Sequence, residues 1–299
     1  MGLFDSVAGL FKPGAAFGSG EAVVVGRLVE AVDPQLRSVP SYQDRLLPVI
    51  EHAAAYCDRL VAAIPGPIDV SSQTYPSDPR VQAIFPAVEE IPISLGRSLA
   101  LRDGLRRLGD KADGSAFALL GMRRRRGMDG SAPGEARNGN GNSAVPFADH
   151  TFRSIGLQQA ETRKYLAEAA FDGLVIGFTS RWTELCRRQV RAGSEQRVET
   201  ELARAQPQAG GEASIHEQHM MEAALQPTPA HMLDALVEWL QFPEEQLRLD
   251  GSMQAADLTM PILIGRDRRH WPVCLTRISL SETAEAIARE TRVHRYILI

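Results

Sequence analysis

One stretch limits the fold more than any other part of the chain. From Ser154 to about Gln206 the residues favour helix, with a break expected near Ala192-Gly193-Ser194. Leu166, Ala169, Ala170, Gly173, Leu174, Gly177, Phe178 and Trp182 trace a broad apolar face on it. A face of that width has to be covered, so other helices must lie against it. Ala169, Gly173 and Gly177 recur every four residues and would let a neighbouring helix approach closely. Gly173 and Gly177 are therefore candidate interface residues, with tight packing inside the chain as the plainer reading.

Around this helix the chain divides by composition. Residues 1–20 read as an arm in which Leu3, Phe4, Val7, Leu10 and Phe11 fall three or four apart, one stripe of a short helix ended by Pro13. Residues 21–128 read as a helical region. Glu21–Asp33 is apolar enough for a strand or a helix, with Val23-Val24-Val25 tipping it towards strand, and the face Tyr42, Leu46, Ile50, Ala53, Cys57, Leu60 and Ile64 predicts a helix. Ser41 and Asp44 have capping-box spacing, Pro48 should kink that helix or delay its start, and Pro65-Gly66-Pro67 stops it. Asp78-Pro79 opens a short helix, and further helices are expected over Ser94–Leu108 and Ser115–Arg126.

Residues 129–146 are rich in Gly, Asn, Ser and Ala and have little to bury, so they read as a flexible linker or a long loop. Over 147–299 the long helix gives way to a helix at Glu212–Leu225 and to another capped by Thr228-Pro229. The period then changes to two: Leu258, Met260, Ile262 and Ile264 alternate, residues 265–269 turn, and Trp271–Ile278 returns. Ser279 and Glu282 cap a last helix, and Tyr296–Ile299 reads as a final strand. The fold class expected is α+β, predominantly α-helical, with a small C-terminal β-hairpin or sheet module.

Charge and cysteine content narrow the function classes. A net charge of −4 over 299 residues excludes a chain that binds nucleic acid through its overall field. The 3 cysteines, Cys57, Cys186 and Cys274, are far apart and make no disulfide framework. Each lies among apolar residues, as a buried free thiol does. No stretch reaches the roughly 20 apolar residues that span a bilayer, and the N-terminus lacks a signal-peptide pattern. These features point to the cytoplasm. Arginine greatly outnumbers lysine, a skew that accompanies GC-rich bacterial genomes.

Three constellations carry chemistry. His216 and His219, three apart on a helix, could ligate one divalent ion with Glu212 or Glu222, although the spacing is not that of zincins. Between Arg97 and Arg126 nine basic residues stand against three acidic ones, a local excess of +6. Arg106, Arg107, Arg123, Arg124, Arg125 and Arg126 are its candidate polyanion contacts, but no aromatic residues interleave for stacking on bases. The arm offers weak contact with a membrane surface, since its apolar face is about three turns long. No nucleophile elbow, P-loop or dinucleotide fingerprint occurs, and no cofactor is implied. The reading these residues favour is a cytoplasmic bacterial interaction protein, an adaptor, scaffold or assembly component, with a protein partner or a second copy of itself. A polyanion-binding protein and a metal-dependent enzyme or sensor are the alternatives.

Overall fold

A computed structural model of the chain describes residues 21–109, 114–124, 147–205, 228–265 and 269–297. The chain is α+β and predominantly α-helical. Its α-helices are α1 (Glu21–Val32), α2 (Tyr42–Ala62), α3 (Pro79–Ile84), α4 (Glu90–Arg97), α5 (Leu99–Leu108), α6 (Gln159–Ala205), α7 (Pro229–Gln241) and α8 (Leu280–Ile297). Its strands are β1 (Ile68–Val70), β2 (Ser115–Arg124), β3 (Phe147–Gly156), β4 (Leu247–Ala255), β5 (Leu258–Gly265) and β6 (His270–Ser279). The expected hairpin partners are present as β5 and β6. They belong to one larger sheet of order β3-β2-β6-β5-β4, antiparallel throughout, with β1 added parallel to β6.

Two compact units share the chain. Residues 54–170 with 244–299 form the α/β unit, and residues 1–53 with 171–243 form the helical unit. In the α/β unit, Ala116, Ala118, Leu120 and Met122 of β2 alternate onto one face beside Cys274 and Ile278 of β6. Helices α3, α4, α5 and α8 cover that face with Val81, Ile84, Ile91, Leu95, Leu101 and Ala286. Val273 and Leu275 on the opposite face of β6 are buried as well, as expected of a central strand. Two glycines set how closely the helices approach. A Cβ on Gly96 would stand 2.7 Å from the Ala286 carbonyl oxygen of α8, and one on Gly104 would stand 1.8 Å from Ile155 Cγ2 of β3. In the helical unit Val25, Leu28 and Val29 of α1, Leu46 and Ile50 of α2, Leu174 and Phe178 of α6, and Leu233, Leu236 and Leu240 of α7 are buried.

Several sequence expectations are corrected. Residues 21–32 form α1 and not a strand, because Val25, Leu28 and Val29 fall on one buried stripe, and burial at helical spacing outweighs β-branching. Residues 115–124 form β2 and not a helix. Alanine, leucine and methionine are good helix formers, but every second one here is fully buried between two neighbouring strands. The Ser94–Leu108 segment is two helices, broken at an extended Ser98 whose hydroxyl accepts the Leu101 N–H at 3.2 Å. Ser154–Gly156 belongs to β3, and α6 begins at Gln159, where the Glu161 carboxylate accepts the Leu157 N–H at 3.0 Å. No break occurs at Gly193: one glycine costs about 1 kcal/mol, little within a cooperative helix of 47 residues. Pro48 does not delay α2, which starts at Tyr42. Of the expected final strand, Tyr296 and Ile297 instead continue α8, and Leu298 and Ile299 lie outside the described residues.

Other local signals are met. Thr228 Oγ1 accepts the His231 N–H at 3.3 Å, Asp78 Oδ1 accepts the Arg80 N–H at 2.9 Å, and Ser279 Oγ accepts the Glu282 N–H at 3.3 Å. The arm at 1–20, the segment at 129–146 and the helix expected at 212–225 lie outside the described residues. The strands flanking that middle segment pair with one another, Arg124 opposite Phe147, so residues 125–146 connect neighbours in one sheet.

Candidate functional site

The arginine-rich stretch is spread over the α/β unit. Arg97 on α4 pairs with Glu290 of α8 at 3.0 Å, and Arg106 on α5 pairs with Asp103 at 3.4 Å. Arg107 lies near Glu161 at the start of α6, and its charge helps to hold that carboxyl below its usual range after the larger effect of the Tyr165 hydroxyl. Gly104 meets Ile155, and Gly156 pairs with Phe117, so α5 leads to the end of β2 where that strand begins. Arg123 stands at the other end, paired with Asp149 of β3 at 3.1 Å. Eight steps of strand separate Ser115 from Arg123, about 26 Å at a rise near 3.3 Å per residue. A run that is continuous in sequence is thus divided between the two ends of a strand. Arg124 is the last residue of β2, and Arg125 and Arg126 lie outside the described residues.

The other sequence candidates divide the same way. His216, His219, Leu3, Phe4, Val7, Leu10 and Phe11 are outside the described residues. Among the described residues no group of three His, Cys, Asp or Glu side chains is placed to hold a metal, and no helix is long and apolar enough to cross a membrane. Gly177 seats Trp239 of α7: a Cβ there would stand 3.2 Å from Trp239 Cζ2. The Trp239 indole N–H donates to the Leu174 carbonyl at 2.9 Å, and its ring meets Phe178 edge-on at 6.0 Å. Gly173 is buried, yet a Cβ on it would have no neighbour within 4 Å.

A cleft that the sequence does not announce lies between the β1–α3 loop and the β4–β5 turn. It is an open depression of about 510 Å³, lined by Asp69, Thr74, Ser77, Asp78, Pro79, Arg80, Ala256 and Asp257. The Arg80 guanidinium grips Asp78 with two hydrogen bonds, of 3.0 and 2.7 Å, and holds its carboxyl below the usual range. Asp69 is gripped in the same forked manner by Arg277. The Thr74 hydroxyl donates to the Asp69 carbonyl at 2.8 Å, and the Ser77 hydroxyl donates to the Thr74 carbonyl at 3.1 Å. Ala256 turns the far wall at φ 54°, a left-handed conformation costly for an alanine. Such a cluster holds loops in place. It contains no histidine or thiol, and its hydroxyls donate to main-chain carbonyls and not to a base.

Two of the three thiols, Cys57 and Cys274, are buried, and burial pushes the Cys274 thiol up to about 12, away from the thiolate that reacts. Cys186 on α6 is partly exposed. No protein-family model, no curated protein and no solved structure matches this chain.

Proposed function

We propose that the chain acts by association, as an adaptor, scaffold or assembly component of the bacterial cytoplasm, with a protein partner or a second copy of itself. One observation carries the reading: among the described residues, the apolar stripe of α6 ends in an exposed leucine. Phe171, Leu174 and Phe178 are buried in the helical unit, Trp182 stacks on Phe178 at 5.9 Å, and Leu185, the next residue on that stripe, is 37 % exposed. The helix then continues to Ala205. A leucine left exposed at the end of a buried apolar stripe offers a surface that a partner can cover.

The test is native mass spectrometry of the full-length protein purified gently from its host. A homo-oligomer, or a complex with a second polypeptide, is the expected result. A strictly monomeric species that captures nothing from lysate overturns the proposal. The polyanion reading has less support, because Arg106 and Arg123 are each ion-paired and stand at opposite ends of β2.

A further inference from the structure

We draw no further inference here: the strongest candidate, the cleft between the β1–α3 loop and the β4–β5 turn, is an acidic cluster in which Asp69 and Asp78 are already gripped by arginines, and nothing in the structure points to a ligand.

Discussion

Gly66 and Gly26 occupy opposite situations, and single methyl groups should report the difference. Gly66 has φ 111°, and a Cβ there would fall 2.3 Å from the Leu275 carbonyl oxygen of the central strand. Neither the backbone nor the strand can give way cheaply, so Gly66→Ala should cost about 3 kcal/mol or more. Gly26 lies inside α1, and a Cβ there meets nothing within 4 Å. Gly26→Ala should therefore stabilise, by roughly 0.5–1 kcal/mol from helix propensity. Urea titration of both variants tests the pair; equal shifts of one sign would show that the close approach at Leu275 is wrong. Cys274 makes a pH prediction. Its thiol ionises near 9.0 when exposed and near 12 when buried. Its contribution to stability is thus complete below pH 9 and is lost as pH rises towards 12, at about 1.4 kcal/mol per unit. Comparing unfolding free energies at pH 8 and pH 10, the wild type should lose about 1.4 kcal/mol more than Cys274→Ala, whose own constant penalty cancels in the difference.

Among the elements, α2 is held by a residue 102 positions away from its partner Val61. The Arg163 guanidinium of α6 donates to the Val61 and Ile64 carbonyls at 2.5 and 2.9 Å, tying down the last turn of α2 and the residues just beyond it. Arg163→Met keeps most of the stem but removes both bonds, and should cost about 2–3 kcal/mol, the worth of charged hydrogen bonds to part-buried acceptors. Arg163→Lys should recover part of this; thermal unfolding of the two variants would show it. The elements also mark what was legible in sequence. Thr228-Pro229, Asp78-Pro79 and Ser279 announce their helices because a cap is a local bond, complete within four residues. By contrast, β2 is spelled in helix formers, and only the burial of Ala116, Ala118, Leu120 and Met122 against distant strands makes it extended. The same holds for α1, where three consecutive valines suggest a strand until Val25, Leu28 and Val29 are seen on one buried face. The cleft was illegible for a related reason: residues 69–80 and 256–257 are brought together by the sheet, and in sequence Asp78 reads only as a helix cap while Asp69 and Asp257 carry no signal.

For the whole molecule, association is the property to measure. Leu185 is exposed, so Leu185→Glu should leave the monomer's stability within about 0.5 kcal/mol of wild type. If α6 completes its stripe on a partner, the same change should lower the mass of the species seen by light scattering. An unchanged mass would place any contact elsewhere. The order of the sheet has a different consequence, for the time course of synthesis. β6 lies between β2 on one side and β5 and β1 on the other, yet it follows all three in the chain. Thr276 donates to the Ala118 carbonyl across 158 residues of sequence. At roughly 5–20 residues per second, a ribosome takes on the order of 10–30 s to cross that interval. For most of it, the apolar row of β2 has been made and the strand that completes it has not. The centre of this sheet is its latest part to be made, so the nascent chain needs shelter longer than its modest size suggests.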